Sequence, residues 1–165
     1  MKKTVLIIAA LLVSFSGMAQ QNKMMFPFKG GLDEMTKFFK DSVAVSPDII
    51  QKKANGVVIF KFTADARGDI QKMIIFYADD YLLTQPLIAA LKKSNQKWLI
   101  PDGEKIHDFI IQFSVNFNAP AVINDDFNKA VYNFHKQRHP ILTYNQVPLE
   151  TATLLPSIQV NYDLP

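Results

Sequence analysis

The chain has 165 residues, with 18 lysine and arginine residues against 15 aspartate and glutamate residues, and it contains no cysteine. The lack of cysteine excludes disulfides, thiolate metal sites and cysteine nucleophiles. Removal of Lys2 and Lys3 with an N-terminal leader leaves 16 basic and 15 acidic residues. Because this balance is nearly neutral, it argues against a nucleic-acid-binding surface.

Residues 1–19 have the pattern of a secretory signal peptide. Lys2 and Lys3 are followed by an apolar run from Val5 to Val13, and Gly17 and Ala19 are small residues suited to a cleavage site. A membrane anchor is the alternative, but this run is shorter than the roughly 20 residues that a spanning helix needs. We therefore expect a periplasmic mature chain that begins near Gln20 and does not span the membrane. Secretion beyond the cell envelope is the less favoured alternative.

The first half of the mature chain predicts a helix and a β-hairpin. Apolar residues recur at helical spacing and predict a helix over about 32–43: Leu32, Met35, Phe38 and Phe39. After Pro47, the stretch from Gly56 alternates as a strand, and Ile70 to Tyr77 predicts its partner strand. Gly68 lies in the short loop between them, where a positive φ is available to glycine without steric strain.

The second half predicts one more helix and a strong strand. Thr84 is suited to cap a helix that tolerates Pro86 in its first turn and ends near Asn95. The stretch "HDFIIQFSVNF" then alternates apolar and polar residues, as a half-buried strand does. The order α-β-β-α-β predicts an α+β fold with helices on one side of a small antiparallel sheet. We expect one group of phenylalanines to face the helix stripe of Leu87, Ile88 and Leu91: Phe60, Phe62, Phe113 and Phe117.

Several segments in this order resemble the C-terminal domain of TonB in a divergent form. They are "FPFKGGLDEMTKFF", "SPDII", "GVVIFKFTADARGDI", "LTQPLIAAL", "QKW" with a following proline, and "FIIQFSVNF". The resemblance covers about residues 26–117, and it lies in the order and spacing of the segments. It departs from TonB in lacking a retained membrane helix and a proline-rich spacer. The resemblance therefore implies a binding domain without energy transduction.

In the family, an extended segment of an outer-membrane receptor pairs with the last strand of the sheet through main-chain hydrogen bonds. The matching strand here is about 107–117, and the resemblance implies a set of edge residues that contact the partner: His107, Phe109, Ile110, Gln112, Ser114 and Asn116. The expected partner is thus an extended peptide or an envelope protein, such as an outer-membrane receptor. An open edge promotes aggregation, so coverage of this strand by the chain itself is an equal alternative.

Other candidate sites have simpler structural interpretations. His135 and His139 have a metal-ligand spacing but lack a nearby third ligand, so we expect no metal and no cofactor. The pairs Asp79–Asp80 and Asp125–Asp126 occur where turns and helix starts favour acidic residues. Trp98, beside several lysines, is expected to cover the core rather than to form a sugar-binding or peptide-binding platform. We accordingly expect no enzymatic activity, with a metal-dependent enzyme as a remote alternative.

Residues 118–165 form an extension that the resemblance does not explain. Asn124 or Asp125 is suited to cap a helix over about 124–138, with an apolar stripe that must pack on the domain: Phe127, Ala130, Val131 and Phe134. The final segment alternates as a strand over about 157–163, and we expect it to add to the sheet beside strand 107–117. The leading functional hypothesis is a periplasmic binding module that is accessory to TonB-dependent transport. The alternative is a structural or self-associating accessory domain of the cell envelope. We expect a monomer or weak dimer.

Overall fold

The structure is a computed structural model, and it describes residues 26–144 and 152–164. The predicted signal peptide and the expected N-terminus of the mature chain lie outside the described residues. The helices and strands follow in chain order: α1 (Gly31–Ser42), α2 (Pro47–Lys52), β1 (Gly56–Asp65), β2 (Ile70–Ala78), a 3₁₀ turn (Tyr81–Leu83), α3 (Thr84–Lys93), β3 (Ile106–Phe117), α4 (Asp125–Gln137), β4 (Ile141–Leu142), β5 (Thr153–Leu154) and β6 (Ile158–Tyr162).

The described strands form one open six-stranded sheet. Its order is β4-β2-β1-β3-β5, and β6 pairs with β3 on the same side as β5. The predicted α+β fold is confirmed. The sheet is mixed rather than purely antiparallel, because β5 and β6 run parallel to β3 whereas the other pairs are antiparallel.

The β1–β2 turn is held by a glycine that no other residue replaces without strain. Gly68 has φ +84°, and its carbonyl accepts a hydrogen bond of 2.7 Å from the Gln96 amide. A Cβ at this position would lie 2.5 Å from the Trp98 carbonyl oxygen. The turn is therefore packed directly against the loop that carries Trp98.

Of the two predicted helix caps, Asn124 is present and Thr84 is not. Asn124 caps α4, where its side chain accepts a 2.8 Å hydrogen bond from the Phe127 amide. The prediction that Thr84 caps its helix is wrong, because the Thr84 hydroxyl donates to the Tyr81 carbonyl oxygen inside a continuous turn. Asp80 caps the preceding 3₁₀ turn instead, accepting from the Leu82 amide at 2.7 Å.

The core lies between the sheet and the helices α1 and α3, and it is rich in aromatic rings. Phe113 packs edge-on against Phe39 and Phe60, with ring centroids 5.2 and 6.0 Å apart. Trp98 is buried, and its Nε1 donates to the Ser94 hydroxyl at 2.9 Å, which confirms the core-lid interpretation. Of the predicted core set, Phe117 and Ile88 are only partly buried, while the remaining members are fully buried: Phe60, Phe62, Phe113, Leu87 and Leu91.

The C-terminal extension packs on the same sheet. Its helix, Asp125–Gln137, lies against α2 and contributes Phe134 to the core cluster. Its strand, Ile158–Tyr162, lies beside β3 as the sequence predicts. Within the described part of the chain, no helix is both long and apolar enough to cross a bilayer.

Phe113→Ala tests the predicted face of β3. The ring has no solvent exposure and contacts two other phenylalanines. We expect the free energy of unfolding to fall by about 3 to 5 kcal/mol, because the substitution removes apolar burial and leaves a cavity. Urea denaturation followed by circular dichroism measures this, with exposed Tyr132→Ala as the control. An unchanged midpoint for Phe113→Ala would contradict the assigned face.

Candidate peptide-binding edges of the sheet

The strand predicted as the binding edge lies inside the sheet. β3 pairs with β1 on one side and with β5 and β6 on the other. The expected edge position is therefore wrong for all six candidate residues: His107, Phe109, Ile110, Gln112, Ser114 and Asn116. The alternative, coverage by the chain itself, is the arrangement found. A direct role of these residues in binding a partner stays a prediction.

The six residues share one strand but face different surroundings. His107 and Phe109 are buried on the helix-covered face, where Phe109 stacks on Phe62 with ring centroids 5.3 Å apart. Ile110, Gln112 and Ser114 are partly buried on the opposite face of the sheet. Asn116 is exposed, and its Nδ2 donates to Gln159 Oε1 at 3.3 Å, so even this outer side chain contacts the C-terminal segment.

The C-terminal strand is held by apolar and polar contacts together. Ile158, Val160 and Tyr162 alternate as buried residues with exposed neighbours. The Tyr162 hydroxyl, in a side chain only 6% exposed, donates to the Ala54 carbonyl oxygen at 2.7 Å. The Asn118 amide donates to the Tyr162 carbonyl oxygen at 2.8 Å. Tethering in the same chain gives this strand a far higher effective concentration than a free peptide has, which explains why it covers β3.

His107 joins β3 to β5 through a polar chain. Its Nδ1 lies 2.7 Å from Glu104 Oε2, and its Nε2 lies 2.7 Å from the Thr153 hydroxyl oxygen. This order of hydroxyl, imidazole and carboxylate resembles a hydrolase triad. However, the imidazole is only 8% exposed and both contacts connect segments of the fold, so we interpret the chain of contacts as a clamp on β5.

A buried ion pair lies between the central strands, on the face opposite α1 and α3. Lys61 is 4% exposed, and its Nζ lies 2.8 Å from Asp108 Oδ2. Burial opposes ionisation of Asp108, but hydrogen bonds from Lys61 and Thr63 outweigh burial and hold its pKa below the usual range. The pair links adjacent strands β1 and β3 and thereby favours their register.

The Asp79–Asp80 pair has the structural role that the sequence predicts. Asp79 Oδ2 accepts from the Val57 amide at 2.7 Å, and Asp80 Oδ2 accepts from the His139 amide at 2.6 Å. The Tyr77 hydroxyl donates to Asp79 Oδ1 at 2.6 Å, and this hydrogen bond raises the pKa of Tyr77. These carboxylates connect the end of the sheet to the segment that follows α4.

His135 and His139 are both exposed near the end of α4. Among residues 26–144 and 152–164, no three His, Asp or Glu side chains come together as a metal site would require.

The vacant edge of the sheet is part of β2. Its far end pairs with β4 at Tyr77 and Ala78, and Thr143 caps the Ile75 and Phe76 carbonyl oxygens. At the near end, the Ile70 amide donates to Asn95 Oδ1 at 3.1 Å. Between these points, no described strand pairs with the outer side of Gln71–Ile74.

The register identifies the outward-facing backbone groups of this stretch. The Asp79 amide donates to the Val57 carbonyl oxygen, so the odd-numbered residues of β1 present their backbone groups to β2. Lys61 and Thr63 therefore form hydrogen-bonded pairs with Ile74 and Lys72. The residue between those two, Met73, points its N–H and C=O away from β1. One donor and one acceptor are thus available at the centre of the vacant edge.

A groove lies beside this edge on the helix-covered face, and we call it the β2 groove. It has a volume of about 420 Å³ between β2 and α3, and its lining is part apolar and part polar: Ile70, Gln71, Met73, Ile75, Ile88, Lys92 and Asn95. Met73 and Ile75 pair with Phe62 and Phe60, which places their side chains on this face. Side chains of a strand added to β2 would enter the same space.

A second groove, of about 950 Å³, lies between α2, the start of α4 and the end of β6. Its lining is mostly apolar, with Ile50, Phe127 and Leu164, and its charged residues have both signs, Lys53 and Asp126 among them. With Asp126 and Asp163 against Lys53, it lacks the single positive sign of the charge in the β2 groove.

No protein-family model matches the sequence, and no curated protein or solved structure matches it either.

Sequence reasoning overlooked the β2 edge, although a signal for it was present. A three-stranded order β2-β1-β3 has two edges, and the family resemblance indicates only the β3 edge. Lys72, an exposed lysine within a strand, is a typical feature of an open edge.

Tyr162→Phe tests how the C-terminal strand is anchored. Burial raises the pKa of Tyr162 to about 12, whereas the pKa of tyrosine in an unfolded chain is about 10. The neutral hydroxyl therefore stabilises the fold fully below pH 10, and this contribution is lost as the pH rises towards 12. At pH 8 we expect Tyr162→Phe to lower the free energy of unfolding by about 1 to 3 kcal/mol, because the Ala54 carbonyl oxygen loses its donor.

Urea denaturation at pH 8 and at intervals from pH 10 to 12 measures both effects. The difference between wild type and Tyr162→Phe should narrow over the alkaline range. The control is Tyr132→Phe, since Tyr132 is exposed on α4. Equal stability of wild type and Tyr162→Phe at pH 8 would contradict the anchoring role.

Proposed function

We propose that this protein is an exported, non-enzymatic binding module of the periplasm that recognises an extended segment of an envelope protein by β-strand addition. The observation that supports this function best is the vacant stretch Gln71–Ile74 at the edge of an otherwise covered sheet. An extended chain that pairs there gains main-chain hydrogen bonds, and the adjacent β2 groove receives its side chains.

The contrast between the two sides of the sheet supports this choice of site. The outer side of β3 is covered by residues 153–162, of which Leu155, Ile158 and Val160 are buried. Displacing them would expose apolar side chains to water, which costs roughly 1.5 to 3 kcal/mol for each one. A partner that uses Gln71–Ile74 displaces no strand of the described part of the chain.

Two irregularities in β2 limit unspecific pairing at the vacant edge. The pairing of β1 with β2 is irregular between Ile59 and Phe60 and again between Thr63 and Ala64, which leaves Phe76 and Gln71 as extra residues in β2. Bulges of this kind limit edge-to-edge aggregation, and they occur near functional sites. The regular stretch between them suits a short partner segment.

The cellular role is part of the same proposal. The signal-like pattern of residues 1–19 supports export, and the resemblance to the TonB C-terminal domain suggests an accessory role in TonB-dependent outer-membrane transport, with an outer-membrane receptor as the partner. The second candidate function is self-association in the envelope, because the same β2 edge can pair with a second copy.

Site-specific photo-crosslinking in intact cells tests the proposal. A photoreactive amino acid replaces Gln71, at the vacant edge, or Asn133, an exposed residue of α4 outside both grooves that serves as the control. We expect the Gln71 probe to capture one envelope protein that the Asn133 probe does not capture. Met73→Pro removes the outward N–H, so it should abolish the adduct in a variant whose circular dichroism shows that it still folds.

The outcomes separate the candidate functions. An adduct at twice the mass of the protein would support self-association over partner binding. Equal capture by both probes, or an adduct that persists in a folded Met73→Pro variant, would contradict strand addition at β2.

A further inference from the structure

We propose that the β2 edge and the β2 groove select an extended protein segment in which apolar residues alternate with acidic residues. This inference deepens the proposed function and rests on it. It concerns which chemistry the site prefers, and it is carried by the shape of the groove and by two lysines beside it.

The backbone geometry requires an extended segment. Met73 presents one donor and one acceptor, spaced as in a β-ladder, and β4 begins to pair a few residues further along at Tyr77. A strand added to this edge would continue the line of β4 along β2. Neighbouring strands lie about 4.8 Å apart, so its side chains would fall directly beside those of Met73 and Ile75.

The groove sets the side-chain preference on the helix-covered face. Ile70, Met73, Ile75 and Ile88 supply its apolar wall. An apolar cavity of about 150 Å³ is enough to hold one benzene-sized group, and the volume here is about 420 Å³. Because successive side chains of a strand point to opposite faces, every second residue of the partner would be apolar and would enter this space.

The charges set the preference for the remaining residues. Lys72 pairs with Thr63 and therefore lies on the opposite face of the edge, where the other half of the partner's side chains would point. Lys92 lies in the lining of the groove. Neither lysine forms an ion pair with any residue in the described part of the chain.

The carboxylates closest in sequence are already engaged. Asp65 accepts from Gln71 Nε2 at 2.9 Å and also pairs with Arg67. Asp69 pairs with the same arginine at 3.5 Å. The two lysines are thus the charges available to a partner, and they favour carboxylates on it.

A second copy of this chain fits the site less well. Pairing two β2 edges about a two-fold axis near Met73 would bring the Lys72 residues of both copies to adjacent or diagonal positions, and Lys92 would have no carboxylate to meet. Like charges at such positions are destabilising. The same lysines that attract an acidic segment therefore oppose a symmetric dimer.

The test is a titration of the isotopically labelled, exported protein with three synthetic probe peptides, followed by amide chemical shifts. The first is a capped octapeptide of alternating valine and glutamate. The second has lysine in place of glutamate. The third is the acidic peptide with N-methyl groups on its valine nitrogens, which prevents main-chain hydrogen bonding.

We expect the acidic peptide to shift amides from Gln71 to Ile75 and near Lys92, with an affinity about fivefold or more above that of the lysine peptide, in line with one or two exposed ion pairs. Lys72→Gln should remove a large part of that preference, because the glutamates of the peptide point to the face of Lys72, and so should high salt. Lys40→Gln is the control, since Lys40 is an exposed lysine of α1 outside the groove. The N-methylated peptide should not bind.

Different results would contradict the acidic preference and the proposed strand addition. If both charged peptides bind at β2 equally tightly, the acidic preference is overturned while strand addition stands. If the N-methylated peptide binds as well as its parent, or no peptide shifts the β2 amides, strand addition at this edge is overturned together with the proposed function. If the β2 amides shift with protein concentration alone, a second copy is the occupant and the acidic segment is overturned.

Discussion

The pairing of the C-terminal strand with β3 determines which edge of the sheet is accessible to other molecules. Residues 158–162 run parallel to β3, and their buried side chains extend the core beyond β1 and β3. Without this strand, the outer backbone groups of β3 from Phe113 to Phe117 would form an open edge of the sheet. With it, the sheet has six strands, and the edge that the family resemblance indicates is closed.

Because β6 covers β3, the edge that remains for a partner strand is that of β2. β4 covers only two residues of β2, and α3 stands away from the strand far enough to leave a groove. The vacant backbone, the apolar wall and two lysines without an ion pair among the described residues lie close together, and they come from one strand and one helix. This combination distinguishes β2 from the larger groove near α4, whose charges have both signs.

The sequence predicted the longer helices and strands because their faces are set by local periodicity, whereas it did not predict the short α2, β4 and β5. The alternation in β3 assigned Phe113 to the core, and the alternation from Ile158 to Tyr162 identified a strand well beyond the end of the family resemblance at Phe117. Alternation defines a face but not a neighbour, so it could not give the parallel direction of β6 or the pairing of Ile141 and Leu142 with β2. The β2 groove depends on the distance between a strand and a helix, which no local pattern encodes.

Amide hydrogen exchange tests the central claim most directly, because it reports on both edges in one experiment. The account predicts that the amides of residues 158–162 that face β3 exchange slowly, like those of β1, whereas the outward amide of Met73 exchanges much faster than those of Lys72 and Ile74. Exchange of residues 158–162 at random-coil rates, together with strong protection of Met73, would contradict the account, because the closed edge would then be β2 and the open one β3.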